Sequence, residues 1–210
     1  MLELKKLTKQ YKPGQPIFSG ISREFSTKKI IGLIGPNGSG KTTFLRLLSV
    51  NSFPTSGEVL FDGLNIHQKP HEYLKNVGLV HDEESLPRHL TAKELLEWIL
   101  RSRSVWDENS VNEIDQVLDK LALNDRDEPI GTYSTGMKKK TQIAAAFIVK
   151  PKVLILDEPL RGLDASTREI VFGLLNDERE KGTLILMSSH SMGSDPDFFD
   201  EIIEFPLRTE

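Results

Sequence analysis

Residues 35 to 42 read GPNGSGKT, an eight-residue stretch in the spacing G-x-x-x-x-G-K-T. The apolar run Ile30 to Ile34 leads into it, and Phe44, Leu45, Leu47 and Leu48 follow at helical spacing. A strand, a glycine-rich turn and a helix start in that order suit one task. The glycines let the backbone fold tightly enough to aim N–H groups at a phosphate, and the helix N-terminus adds its positive dipole end. Lys41 then reaches the β/γ oxygens and the Thr42 hydroxyl holds Mg²⁺. The stretch reads as a nucleoside triphosphate site formed by Gly35, Pro36, Asn37, Gly38, Ser39, Gly40, Lys41, Thr42 and Thr43.

A metal beside a triphosphate needs an acid at the end of a nearby strand, and VLILDEP, residues 153 to 159, supplies one. Asp157 suits the Mg²⁺ shell, directly or through water. Glu158 is placed to accept a proton from an attacking water. A further stretch, STGMKKK at 134 to 140, puts three lysines behind a glycine-containing turn. By itself it reads first as the solvated start of a helix and only second as a basic patch.

Composition narrows the choice. The 210 residues suffice for one sizeable domain with an inserted subdomain. A net charge of −4 argues against coating a phosphate backbone. The longest unbroken apolar run, Ile143 to Val149, is seven residues, too short to span a bilayer. The first ten residues lack the apolar core of a signal peptide, and there are no cysteines. The expectation is a soluble, intracellular chain.

Strands are expected at Leu2 to Leu7, Ile17 to Phe25, Ile30 to Ile34, Gly57 to Phe61, Val77 to Val80, Val153 to Leu156, Leu184 to Met187 and Glu201 to Phe205. Between about 82 and 135 the pattern turns helical. Thr91 with Glu94, and Ser110 with Glu113, have capping-box spacing, as has Ser166 with Glu169 further on. Val111, Ile114, Val117, Leu118 and Leu121 fall on one helix face, and Gly136 to Lys150 is helical up to Pro151. Strands alternating with helices give an α/β fold with a mostly parallel sheet and a helical insertion.

No Asn-Lys-x-Asp segment for reading guanine occurs, and no arginine-rich lid follows the acids. Instead the order is phosphate loop, helical block, YSTGM at 133 to 137, acidic strand, GLD at 162 to 164, and a lone His190. In this order and over nearly its whole length, the chain resembles an ATP-binding cassette ATPase of the transporter type. The resemblance implies a P-loop NTPase core with a small N-terminal antiparallel β subdomain, the core covering about 1–81 and 136–210 and the helical subdomain about 82–135.

It also implies site roles. Glu158, His190 and Lys41 are the catalytic set; Thr42, Asp157 and Asp82 are the Mg²⁺ set, with Asp82 standing where the family usually has glutamine. Tyr11 stacks on adenine. Ser134 and Gly136, in a signature that the family writes Leu-Ser-Gly-Gly-Gln, cap the γ-phosphate held by a second cassette, and Asp164 lies at that dimer interface. The form Tyr-Ser-x-Gly-Met is similar to the branch of compact cassettes that serve small exporters. The implied cofactors are ATP and Mg²⁺. The implied partners are a second cassette, identical or not, and separate integral membrane subunits at the inner face of the cell membrane, with no nucleic acid. The alternative is a soluble cassette acting on nucleic acid or the ribosome. The lysines of 138–140 then lie on the exposed face of the signature helix, and Leu86, Leu90, Trp98 and Trp106 lie in or beside the segment facing the membrane subunit.

Overall fold

The computed structural model describes residues 1–81, 85–189 and 198–207. Five parallel strands form the central sheet: β3 (Lys29–Ile34), β6 (Val77–Val80), β7 (Val153–Leu156), β8 (Leu184–Ser189) and β9 (Glu201–Glu204), in the order β6-β7-β8-β3-β9. A second, antiparallel sheet of β1 (Leu2–Lys12), β2 (Gln15–Phe25), β4 (Ser56–Phe61) and β5 (Leu64–Asn65) has the order β2-β1-β4-β5. The fold is the expected α/β arrangement of a parallel sheet beside a small antiparallel one.

The central strands are apolar at nearly every position because both faces of the sheet are covered. Their alternation sorts side chains between two cores. Ile30, Val80, Leu154, Leu156, Ile185 and Met187 point to one face, where α3 (Ala92–Ser102), α4 (Ser110–Lys120), α5 (Thr135–Phe147) and α6 (Ala165–Glu180) pack. Ile31, Leu33, Val77, Val153, Ile155, Leu184 and Leu186 point to the other. There they meet α1 (Lys41–Leu48), the antiparallel sheet and Tyr73 of α2 (Pro70–Leu74). Residues of the helical block, Leu95, Leu96, Leu100, Ile114 and Leu118, share one continuous core with the central sheet. Close approach fixes the α5 contact: a Cβ on Gly78 would come within 2.2 Å of the Ala146 carbonyl.

Helix starts differ from the expected caps in instructive ways. Thr91 and Glu94 form a reciprocal capping box at the head of α3. Ser110 does not cap α4. Its buried hydroxyl accepts the Asp107 N–H at 2.9 Å and donates to the Asp107 carboxylate at 3.0 Å, while Glu113 pairs with Lys150 at 2.6 Å. At α6 the cap is Asp164, and Ser166 merely donates to it. Val111 is 59% exposed, whereas Ile114, Leu118 and Leu121 are buried, so the packing face of α4 begins one turn later than the apolar pattern suggested. Leu86, Leu90 and Trp106 pack partly buried against the core, and of that group Trp98 alone projects, 62% exposed. Arg101 lies over the Trp106 ring at 4.1 Å.

Tyr73 is fully buried against Phe61, and its hydroxyl has no hydrogen-bond partner among the described residues. Burial pushes its phenol well above the ordinary tyrosine range. A buried hydroxyl without a partner forfeits hydration with nothing in return. Tyr73→Phe should therefore leave the fold intact and raise stability by about 1 kcal/mol. Urea unfolding checks this, and a clear loss of stability would show that the hydroxyl is bonded.

Candidate active site

The parallel register brings three strand ends to one level. Leu33 and Ile34 of β3 lie opposite Ser188 and Ser189 of β8, and Leu156 of β7 lies opposite Met187. The chain leaves β3 as the glycine-rich loop, leaves β7 as Asp157-Glu158, and passes Ser188 between them. The Phe205 N–H donates to the Ile34 carbonyl at 2.7 Å, closing the other side of β3 just before the loop.

The loop folds as its glycines require. Gly40 caps α1 with φ 106°, a left-handed conformation that strains any residue with a Cβ, and a Cβ there would also come within 2.6 Å of Ile17. Lys41, the first residue of α1, is 5% exposed. Its ammonium turns back into the loop and donates to the carbonyls of Gly35 at 2.6 Å and Pro36 at 3.0 Å. A cavity of about 140 Å³ lies over the loop, lined by Asn37 to Thr43 with Ile17 and Glu158. The Ser39 hydroxyl is buried there without a partner among the described residues. A cavity walled by backbone N–H groups, a lysine and a helix N-terminus suits a phosphate group.

Across the cavity the acids are held by a residue the sequence pattern did not single out. The Ser188 hydroxyl donates to Asp157 Oδ1 at 2.6 Å and accepts the Glu158 N–H at 2.9 Å. Asp157 is buried, and Glu158 adopts a left-handed φ of 48°, which costs strain in a residue with a side chain. That turn points the two successive carboxyl groups to different places: Asp157 to Ser188, Glu158 to the loop cavity and within 3.6 Å of Arg161. The signal for Ser188 was present as a small polar residue closing an otherwise apolar strand, MSS after LIL. Ile17 was missed as well, because nothing in a strand pattern marks a side chain that packs on a loop glycine.

The fit for Mg²⁺ rests on donor chemistry. Thr42 lines the cavity and Asp157 is an acid locked in orientation by Ser188, a hydroxyl and a carboxylate of the kind Mg²⁺ takes alongside phosphate oxygens and water. Asp82 and His190 lie outside the described residues.

The other predicted residues stand apart from that cavity. Ser134 caps α5 by accepting the Met137 N–H at 3.2 Å, leaving its own proton for another acceptor. Gly136 faces the Gly162 carbonyl, 3.4 Å from where a Cβ would sit, so the signature turn and the GLD turn abut within one chain. Asp164 accepts bonds from the Thr167 N–H at 2.8 Å, the Thr167 hydroxyl at 2.9 Å and the Ser166 hydroxyl at 2.6 Å. Tyr11 is 63% exposed, with the Lys9 ammonium 4.7 Å from its ring centre. Among the described residues the structure gathers Asn37 to Thr43 with Glu158, and it does not bring Tyr11, Ser134, Gly136 or Asp164 to that wall. The expected exposed lysine face is corrected: Lys139 is buried, because it falls on the sheet side of α5, and Lys138 and Lys140 are half-buried. A larger open groove of about 1090 Å³ crosses the outer face of the antiparallel sheet beside Glu3, Lys5, Arg23 and Glu58, where the mixed charges form no set suited to one ligand.

A glycine-rich loop and paired acids at the ends of two parallel strands that flank β8 define a P-loop nucleoside triphosphatase fold. The family described as ABC transporter matches residues 18–161, more than half of the chain, and the chain belongs to that family. It is 36% identical over 200 residues to an uncharacterized ABC transporter ATP-binding protein, YcbN, of Bacillus subtilis (strain 168). That match covers 93% of this chain and 63% of the relative's length, so the chain spans less than two thirds of it. Among solved structures, the ATP-binding subunit of an ABC transporter superposes with a TM-score of 0.91 at 24% identity, covering 98% of this chain and 85% of that one. A dimeric bacterial ABC transporter cassette superposes with a TM-score of 0.84 at 25% identity, covering 98% and 94%.

The hydroxyl and N–H donors around Asp164 hold its carboxyl well below the usual carboxylate range. The folded value is the lower one, so the stability it contributes is complete above the ordinary aspartate range and is lost as the pH falls through that range towards the folded value. The stability difference between the parent and Asp164→Ala should be largest near neutrality and shrink in acid. Thermal unfolding across pH measures it, and a difference that stays constant into strong acid would contradict the cap.

Proposed function

We propose that the chain binds ATP with Mg²⁺ and hydrolyses it as the motor subunit of a membrane transporter whose spanning subunits are other chains. The observation that carries the reading is the convergence of Lys41, the loop backbone and Glu158 on one phosphate-sized cavity. The loop N–H groups and Lys41 hold the β- and γ-phosphates, and Tyr11, projecting from the tip of β1, offers a ring face to the base. Mg²⁺, bound by Thr42 and Asp157, would neutralise charge on the β- and γ-oxygens. Glu158 accepts the proton of the attacking water as the bond from the γ-phosphorus to its bridging oxygen breaks, and ADP and phosphate leave. Asp82 and His190 are assigned to the metal and to the γ-phosphate.

Two observations support a site completed by a second chain. Ser134 and Gly136 start a helix whose N-terminus suits a phosphate, yet they lie away from their own chain's cavity. The related bacterial cassette, moreover, is a dimer. A two-fold arrangement places each signature over the partner's loop, so two ATP molecules join two cassettes. No helix among the described residues is long and apolar enough to cross a membrane. In this reading the cassette passes its closing motion to membrane subunits that are other chains, and the exposed Trp98 on α3 is available to that contact.

Lys41→Ala should lower ATP affinity by tenfold or more, on the order of one lost charge-assisted contact, as read by titration of a fluorescent ATP analogue. Undiminished affinity and turnover would remove the loop from the site. Glu158→Gln should retain binding and lose turnover by about a hundredfold or more, since an amide hydrogen-bonds water without taking its proton. Hydrolysis at the parent rate would show that another group is the base.

A further inference from the structure

The sheet-facing row of α5 is Lys139, Ile143, Ala146 and Phe147, all buried. Lysine is an odd occupant of such a row, because taking an ammonium out of water is costly and a methionine or leucine would fill the same space. At 3% exposed, Lys139 carries its charge inward, and its Nζ donates to the His81 carbonyl at 3.3 Å. His81 directly follows Val80, the last residue of β6, whose own carbonyl accepts the Asp157 N–H at 2.8 Å. The anchor is thus the rigid edge of the central sheet, at the level where the acids are held.

The two halves of α5 are fastened differently. The C-terminal half lies directly on β6, backbone against backbone at Gly78 and Ala146. The N-terminal half begins at Ser134, and its neighbours Lys138 and Lys140 are half-buried. Lys140 reaches the Ala122 carbonyl at 3.4 Å, just beyond α4, and so ties α5 to another helix and not to the sheet. Lys139 joins this half of α5 to the sheet edge through the His81 carbonyl.

Resting on the shared-site proposal, we infer that Lys139 is a positioning residue. It holds the first turns of α5 at the angle at which Ser134 and Gly136 meet the phosphate bound by the partner chain. It is not among the residues that line the loop cavity, and it acts on the site to which its chain lends the signature, not on the site to which its chain lends the phosphate loop.

Mixed dimers separate these roles. Pairing Lys41→Ala chains with Ser134→Arg chains leaves one good composite site, with the phosphate loop of the Ser134→Arg chain and the signature of the Lys41→Ala chain. This mixture alone should hydrolyse ATP. Its failure where native mass spectrometry shows mixed dimers would overturn the shared site itself, whatever Lys139 does. With that activity in hand, Lys139→Met is placed in one chain at a time. In the signature-lending chain it should lower kcat by about fivefold or more with KM for ATP unchanged, the scale of couplings carried through one packed contact. In the loop-lending chain the rate should stay within about twofold. Lys139→Arg in the signature-lending chain should recover most of the loss. Lys139→Gln repeats the comparison should the methionine chain not accumulate. Equal rates in the two placements, whether both normal or both reduced, would overturn the inference.

Discussion

The site depends on the register of a parallel sheet. With Leu33 opposite Ser188 and Leu156 opposite Met187, β3, β7 and β8 end at one height, and whatever follows each strand must meet there. Shifting one strand by a residue would exchange its two faces between the two cores, because Ile30 and Ile31, Leu154 and Ile155, and Ile185 and Leu186 each divide between opposite sides. Burial on both faces therefore locks the register, and the locked register sets the phosphate loop against the acids. Ser188 makes that closeness specific, bonding to Asp157 by its hydroxyl proton and to the Glu158 N–H by its oxygen.

Much of this was legible because it is written in local patterns. The loop GPNGSGKT with an apolar strand before it and a helix behind it, and VLILDEP with its four buried residues, each combine a chemical need with a backbone need in consecutive positions. The central strands were found for the same reason, as short apolar runs. What was not legible depends on partners distant in sequence. Ser188 becomes meaningful only beside Asp157, 2.6 Å away across a strand pair. Ser110 had the spacing of a cap, yet Asp107 claimed its hydroxyl, and Asp164 displaced Ser166 as the cap of α6. Lys139 read as surface because lysine seldom lies inside, and only the packing of α5 on β6 shows that its row faces the sheet.

The same geometry suits the proposal that one chain holds a nucleotide and works in a pair. The phosphate cavity collects residues from β2, the loop, α1 and the acidic turn, all resting on the central sheet. The signature begins a separate helix, abuts the GLD turn of its own chain and lies outside the cavity's wall. A capped helix N-terminus with a hydroxyl still able to donate suits an anion. In the proposed dimer that anion is the γ-phosphate on another chain, and ATP is the joint between them.

Molar mass in solution tests that claim most directly. With Glu158→Gln holding ATP and Mg²⁺ without turnover, light scattering should show the species moving from the 23.7 kDa of one chain to twice that mass. Replacing ATP with ADP should return it to the single-chain mass. A variant that binds ATP tightly and stays at 23.7 kDa at every concentration tested would contradict a site shared between two chains.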